Sequence, residues 1–206
     1  MKIRKLHFYS IIAIIGVIAI IIWYPRPQYD KTKVVVAFGD SLTSGYCVVP
    51  PQRDYVVYLS NYTNISIINA GKKGDNTSDA LIRLQSDVLD KKPSIVIVFL
   101  GGNDFFEGYS SDVITENLTA IVEAIQKTGA KVILVGGDSQ VASSYENAEQ
   151  SVATKEKVFA FIPSVLNGIL FRKDLMCADG LHPNEKGHEV IAQKILPALQ
   201  RALSEK

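Results

Sequence analysis

Four short segments of the sequence contain side chains that could together hydrolyse an ester. The segments are Gly39-Asp40-Ser41-Leu42, Asn69-Ala70-Gly71-Lys72-Lys73-Gly74-Asp75, Gly101-Gly102-Asn103-Asp104 and Asp179-Gly180-Leu181-His182-Pro183. A serine hydroxyl is a poor nucleophile at neutral pH and needs an adjacent base that accepts its proton. His182 is a candidate base for Ser41, and Asp179, three residues before the histidine, could orient the imidazole and stabilise its protonated form.

The negative oxygen that forms at a substrate carbonyl would need hydrogen-bond donors already in place. The candidate donors are the backbone N–H groups of Ser41 and Gly74 and the side-chain amide of Asn103. A glycine at position 74 would let the main chain approach the substrate closely. Each segment alone also fits a plain turn or a helix cap, because Gly, Asp, Asn and Ser are common in both. Their occurrence together favours a catalytic site.

Apolar runs of strand length separate these segments and predict a buried parallel sheet. The runs are rich in Val and Ile and show no polar alternation, which is typical of strands that are buried on both faces. They are Val34–Phe38, Ile65–Ile68, Ile95–Leu100, Val132–Val135 and Val158–Ile162.

Between the runs, apolar residues recur at helical spacing. One stripe consists of Leu81, Leu84, Val88 and Leu89, a second of Ile114, Leu118, Ile121, Val122 and Ile125, and a third lies within Glu185–Leu203. Strands that alternate with helices predict βαβ units and an α/β fold. Ligands of such sheets bind beyond the carboxyl ends of the strands. Three of the four segments directly follow predicted strands, and the fourth precedes the last predicted helix.

Over residues 33–203 the chain resembles the SGNH hydrolases, also called GDSL esterases or lipases. The family is named for Ser, Gly, Asn and His in four blocks, which match Ser41, Gly74, Asn103 and His182, and its acid matches Asp179. The resemblance implies a three-layer α/β/α flavodoxin-like fold, with a five-stranded parallel sheet in the order 2-1-3-4-5. It also implies hydrolysis of acyl esters without a metal or organic cofactor. The first and third blocks are most similar to the bacterial periplasmic thioesterase/lysophospholipase and arylesterase branch.

The first residues predict a membrane anchor, which departs from the cleaved signal common in this family. Lys2, Arg4 and Lys5 precede an uncharged stretch over residues 8–25. This stretch would span roughly 27 Å as a helix, close to the ~30 Å hydrocarbon core. The cations favour a cytoplasmic N-terminus. The stretch ends in three isoleucines, Trp23 and Tyr24, with no small-x-small pair before Pro25, which disfavours signal cleavage. A cleaved signal peptide that leaves a secreted enzyme is the main alternative, and a buried core helix is another.

The predicted organisation is therefore an anchor over residues 1–25, a polar tether over 26–32 and one hydrolase domain over 33–206. The catalytic domain would face the periplasmic or extracellular side of a bacterial inner membrane. In such an oxidising compartment Cys47 and Cys177 could pair, because both lie within a few residues of the proposed triad. The alternative is two unpaired cysteines that act as small buried apolar residues.

The composition excludes several classes of protein. The chain has 206 residues, of which 47% are hydrophobic and 21% charged, so a disordered chain is excluded. With 22 basic and 21 acidic residues the formal net charge is +1, which gives no indication of nucleic-acid binding. No His/Cys cluster suggests a metal site. We expect a monomer that acts on a small-molecule or lipid ester without a cofactor.

The segment after Asn103 suggests an acyl substrate. Phe105, Phe106 and Tyr109 would suit the apolar lip of an acyl-binding site, although they also fit a packed helix core. A second Gly-Asp-Ser, at 137–139, follows the fourth predicted strand, and we interpret Ser139 as a residue that lines the cleft and not as the nucleophile. The alternatives to an acyl esterase or thioesterase are a carbohydrate acetyl esterase acting on envelope polysaccharide and a catalytically silent anchored binding module. Nucleotide binding is disfavoured because no GxxxxGK[ST] loop is present.

Overall fold

The computed structural model describes residues 28–50, 53–137 and 143–205. Within them, five strands form one parallel sheet in the order β2-β1-β3-β4-β5. The strands are β1 (Val35–Gly39), β2 (Ile67–Gly71), β3 (Ile95–Phe99), β4 (Lys131–Val135) and β5 (Ala160–Ile162). This confirms the predicted α/β class and strand order.

The bounds of β2 differ most from the prediction, because it extends through Asn69 to Gly71. β2 is an edge strand and pairs only with β1 in the described sheet. The Asn69 side-chain oxygen accepts a hydrogen bond from the Gly71 N–H (2.9 Å), and its amide donates to the Thr43 carbonyl (2.7 Å). Residues that indicate a turn in the sequence therefore continue the strand to the edge where the site lies.

The helices run between the strands and pack on both faces of the sheet. They are α1 (Ser41–Ser44), α2 (Tyr55–Thr63), α3 (Thr77–Asp87), α4 (Gly102–Phe106), α5 (Ser111–Gln126), α6 (Ser143–Lys155) and α7 (Glu185–Ser204), with a 3₁₀ turn at Leu89–Lys91. Side-chain caps fix where several of them begin: Asp54, Asn76, Ser110 and Asn184 each accept a hydrogen bond from an N–H of the first turn.

Alternation along the strands creates two apolar cores. Val35 and Ala37 of β1 face one core, which α2 and α7 cover, whereas Val36 and Phe38 face the other, which α3, α5 and α6 cover. All four of these side chains are fully buried. The two cores separate three layers, as the resemblance implies.

The tether meets the domain at the amino edge of the sheet. Lys33, two residues before β1, donates from Nζ to the carbonyls of Leu203 (2.8 Å) and Glu205 (2.7 Å) at the end of α7. No helix in the described ranges is both long and apolar enough to cross a membrane. The predicted anchor at 1–25 and the first two tether residues lie outside those ranges.

Candidate active site

The candidate nucleophile lies directly after β1, where the chain turns into α1. Ser41 is the first residue of this short helix, and the Asp40 carboxylate caps it by accepting a hydrogen bond from the Leu42 N–H (2.9 Å). The turn needs a glycine at position 39, because a Cβ there would lie 2.5 Å from the Phe99 carbonyl oxygen of β3. This close approach holds the serine at the carboxyl edge of the sheet.

The structure brings Ser41, His182 and Asp179 into one hydrogen-bonded line. His182 Nε2 lies 3.0 Å from Ser41 Oγ, and His182 Nδ1 lies 2.8 Å from Asp179 Oδ2. The other Asp179 oxygen accepts hydrogen bonds from the backbone N–H groups of Leu181 and His182, at 3.0 Å each. These bonds, the backbone ones above all, lower the pKa of Asp179 to about 2. The carboxylate is therefore anionic at neutral pH, as a group that orients an imidazole needs to be.

The loop that holds the histidine is tied to the nucleophile segment by a disulfide. Cys47 and Cys177 are bonded, with their Cα atoms 6.7 Å apart, and each sulfur lies 3.6 Å from the Pro183 carbonyl oxygen. The predicted pairing is confirmed, and the alternative of two unpaired cysteines is wrong. Asn184 adds a second tie, because its amide donates to the Asp174 and Met176 carbonyls on the chain that leads into the loop.

Two of the three candidate oxyanion donors line one cavity. Ser41 begins α1 and Asn103 is the second residue of α4, so both follow buried strands and lie beside the cavity. The Asn103 amide donates to the Asp75 carbonyl (2.8 Å), which links the second and third sequence blocks. Gly74 has a φ of +87° in an exposed turn and is not among the described residues that line the cavity. Its link to the site runs through the neighbouring Asp75.

An apolar cavity of about 290 Å³ opens beside Ser41 and His182. Phe105 and Phe106 line it with 37% and 64% of their surface exposed, so the alternative of a packed helix core is wrong for them. Tyr109 is exposed and is not among the described lining residues, and Ser139 lies outside the described ranges. Further apolar walls come from Leu42, Phe99, Leu100, Leu166, Leu170, Phe171 and Leu181.

Sequence reasoning did not find the walls at Leu166, Leu170 and Phe171. They lie between β5 and the histidine loop, in a segment without regular secondary structure, so no strand or helix period marks them.

Arg83 of α3 is a further positioning residue that sequence reasoning missed. It donates to the carbonyls of Gly39 (2.9 Å) and Ala70 (2.8 Å), and it forms an ion pair with Asp75. Arg83 thereby joins the ends of β1 and β2 to the loop that contains Gly74. The sequence predicts α3 only from the spacing of its apolar residues, and nothing in that pattern marks Arg83 as part of the site.

Two buried carboxyl groups, Asp40 and Asp104, directly precede Ser41 and directly follow Asn103 in the sequence. Burial raises the pKa of Asp40 to about 7, partly opposed by its backbone hydrogen bonds. Asp104 of α4 accepts hydrogen bonds from the Thr77 N–H (2.9 Å) and hydroxyl (2.5 Å), and burial raises its pKa as well. These bonds fix the beginnings of α3 and α4 relative to each other. No three His, Cys, Asp or Glu side chains in the described ranges are grouped as metal ligands.

Comparisons with known proteins identify the family. The model of the GDSL-like Lipase/Acylhydrolase family matches residues 37–190, and the chain belongs to this family. It is 29% identical over 187 residues to the esterase TesA of Pseudomonas aeruginosa, covering 85% of this chain and 92% of the relative. It is 24% identical over 172 residues to thioesterase 1/protease 1/lysophospholipase L1 of Escherichia coli K12, covering 81% and 83%.

A solved structure supports the same assignment. The crystal structure of TesA matches with a TM-score of 0.77 and 26% identity, covering 83% of this chain and all of the other. The protein is thus an SGNH-type hydrolase of esters or thioesters.

Proposed function

We propose that this enzyme cleaves carboxylic esters or thioesters of acyl chains through an acyl-enzyme on Ser41. The observation that carries the proposal is the line from Ser41 Oγ to His182 Nε2 (3.0 Å) and from His182 Nδ1 to Asp179 (2.8 Å), at the mouth of an apolar cavity. A serine, a base and an orienting acid within hydrogen-bond reach are the arrangement that acyl transfer requires.

The first half of the reaction forms the acyl-enzyme. Ser41 Oγ attacks the carbonyl carbon while His182 Nε2 takes its proton, and Asp179 stabilises the imidazolium. The Ser41 N–H and the Asn103 amide donate to the oxyanion, and the Gly74 N–H is the third proposed donor. The tetrahedral intermediate then expels the alkoxide or thiolate, which receives the proton from His182.

The second half releases the acid. Water attacks the acyl carbon on Ser41 as His182 removes a proton from the water. The ester bond to Oγ breaks, Oγ regains the proton from His182, and a carboxylic acid leaves. The enzyme returns to its starting protonation state, so no other proton donor is needed.

The apolar cavity supports an acyl chain as the recognised group. Phe105 and Phe106 of α4 line it, and so do Leu166, Leu170 and Phe171 from the segment after β5. A carbon chain in this cavity would leave water and gain roughly 0.8 kcal/mol for each buried methylene. An acetyl group would use little of this surface, which favours longer acyl chains over acetylated sugars.

The proposal includes an anchored location. Residues 1–25 are the proposed transmembrane helix, with a monomeric catalytic domain on the periplasmic or extracellular side. The Cys47–Cys177 disulfide supports an oxidising compartment. The described end of the tether meets the domain at the amino edge of the sheet, and the cavity lies at the carboxyl edge.

A panel of esters tests the proposed function. We expect kcat/KM of the wild type to rise from acetyl to longer acyl 4-nitrophenyl esters, and lysophospholipid to be hydrolysed faster than an acetylated sugar. Ser41→Ala should abolish hydrolysis, whereas Ser139→Ala, the matched serine of the second Gly-Asp-Ser, should retain most of it. An enzyme that prefers acetylated sugars would instead be a carbohydrate esterase, and a dead Ser139→Ala variant would contradict the assignment of Ser41.

A further inference from the structure

We propose that Lys73 recognises a negatively charged group on the leaving part of the substrate. The enzyme would then prefer esters or thioesters whose alcohol or thiol part carries a phosphate or a carboxylate. This inference rests on the proposed roles of Ser41 and His182. It adds a determinant of substrate class that the apolar cavity does not supply.

The contacts of Tyr46 place Lys73 on the side of the leaving group. In the proposed reaction His182 protonates the leaving group, so that group must lie next to the imidazole. The edge of the Tyr46 ring packs against His182, with the ring centroids 4.7 Å apart. The Lys73 ammonium lies 3.7 Å from the centroid of the same Tyr46 ring. Tyr46 therefore bridges the general acid and Lys73.

The acyl chain occupies a different direction. The described walls of the cavity include His182 but neither Tyr46 nor Lys73. A substrate whose acyl chain lies against Leu166 and Leu170 would extend its other part past His182 toward the Tyr46 ring. An anion on that part would meet the Lys73 ammonium outside the cavity.

The backbone of the turn at 72–75 fixes the position of Lys73. The Asp75 N–H donates to the Lys72 carbonyl (3.2 Å), which closes the turn. The Lys72 N–H donates to the Gly39 carbonyl (3.0 Å), two residues before Ser41. The turn is therefore attached to the end of β1, and Lys73 stands at a defined place on the rim of the site.

The charge of Lys73 is not neutralised within the described part of the chain. Lys72 Nζ pairs with the Asp75 carboxylate (3.6 Å), and Arg83 pairs with the same carboxylate from inside. Lys73 forms no ion pair with any described carboxylate, and Tyr46 is its only aromatic contact there. A cation held over a ring by a weak contact remains available to an anionic ligand.

Two esters that differ by one carboxylate on the leaving group test the proposal, because the comparison is made between variants. The probes are 4-nitrophenyl butyrate and 3-carboxy-4-nitrophenyl butyrate, whose carboxylate is on the leaving group. The readout is the ratio of kcat/KM for the anionic ester to kcat/KM for the neutral one. We expect Lys73→Gln to lower this ratio about threefold, as for an exposed ion pair, and Lys73→Arg to retain it. High salt should lower the wild-type ratio, because salt screens exposed charges.

Lys127→Gln is the matched control. Lys127 caps the end of α5 at the amino edge of the sheet, so this variant removes one exposed charge on the side opposite the site. We expect it to leave the ratio unchanged. If both variants lowered the ratio equally, the proposal would be overturned, because the overall charge of the protein and not Lys73 itself would then cause the preference.

The remaining outcomes separate the inference from the proposed function. A Lys73→Gln variant that loses activity equally on both esters would overturn the inference, because Lys73 would then only support Tyr46 and His182. Unchanged activity on both esters would also overturn it. Wild-type hydrolysis no faster than that of Ser41→Ala on either ester would overturn the proposed function itself.

Discussion

At the scale of single residues, the chemistry depends on the hydrogen bonds that hold Ser41, His182 and Asp179 in line. Asp179 accepts from two backbone N–H groups and faces the imidazole with its second oxygen. The three hydrogen bonds fix the Asp179 side chain and keep its carboxylate ionised. His182, with only 12% of its side chain exposed, is positioned by this carboxylate and by the Tyr46 ring. The negative charge of Asp179 is therefore expected to matter more than its shape.

Asp179→Asn tests this point. The amide keeps the size of the side chain but cannot stabilise an imidazolium, so we expect kcat to fall on the order of a hundredfold or more, with a small change in KM. The measurement is steady-state kinetics on a butyryl ester. Asp174→Asn, an exposed carboxylate paired with Arg172 on the same segment, is the control and should retain activity. A loss of less than about threefold in Asp179→Asn would contradict the assigned role.

At the scale of elements, the strands and the longer helices were predictable because their apolar periods are long and regular. All five residues of the second apolar stripe are buried in α5, as predicted. α2 was not predicted, since its buried face contains Tyr55 and Tyr58 and gives a weak amphipathic pattern. The walls from the segment after β5 have no period at all.

In the candidate site too, the parts on regular elements were predictable and the parts on irregular loops were not. The order of the four blocks predicts which groups meet at the carboxyl edge, because parallel strands end there together. The sequence does not give the direction of a side chain in an irregular loop, and Tyr109 is a case in point. Phe105 and Phe106, four and three residues earlier, line the cavity, whereas Tyr109 is not among the described lining residues. Proximity in sequence was insufficient to separate them.

The disulfide joins the nucleophile segment to the histidine loop and is expected to stabilise the folded protein. It closes a loop of 130 residues, for which chain entropy gives a stabilisation on the order of 4–5 kcal/mol. We expect the Cys47→Ala/Cys177→Ala double variant to unfold at a lower denaturant concentration and to have a lower kcat, since the histidine loop loses a tie. Reductant should shift the wild type in the same direction and leave the double variant unchanged. Labelling of two thiols in denatured wild type without reductant would contradict the bond.

His188 makes the packing of α7 on α2 sensitive to acid. It is fully buried, accepts a hydrogen bond from the Tyr55 N–H (3.3 Å), and its Nε2 meets no partner among the described residues. Burial lowers its pKa from the ordinary 6.5 to about 4. Between these values the unfolded chain binds a proton that the folded protein does not, so the free energy of unfolding falls as the pH falls.

We expect wild type to lose about 2 kcal/mol more than His188→Gln between pH 7 and pH 4.5. Denaturant unfolding of both proteins at the two pH values measures this difference. Asp40 contributes with the opposite sign, because its raised pKa favours the folded state at low pH and that contribution is lost as the pH rises toward 7. Because both proteins contain Asp40, its contribution to the pH dependence cancels when the two are compared. Parallel pH dependences would contradict the role of His188.

At the scale of the whole molecule, the two ends of the sheet have different roles. The carboxyl edge holds the site, and the amino edge receives the tether and the end of α7. Tyr29 packs partly against the core that α2 and α7 cover, so the described domain includes the end of the tether. The described residues of the domain form two apolar cores of their own.

We expect deletion of residues 1–27 to give a soluble enzyme with the kcat/KM of the full chain. The full chain should remain in the membrane fraction, with its catalytic domain digested by protease added to spheroplasts. Activity measurements after fractionation check both expectations. A full-length gene product found in the soluble fraction and trimmed near residue 25 would show signal cleavage instead of an anchor.

Covalent labelling with a fluorophosphonate, followed by mass spectrometry of the intact and digested protein, tests directly whether Ser41 is the nucleophile. We expect one adduct per chain, on the peptide that contains Ser41, with none on Ser41→Ala and slow labelling of His182→Ala. An adduct on Ser139, or equal labelling of wild type and Ser41→Ala, would contradict it.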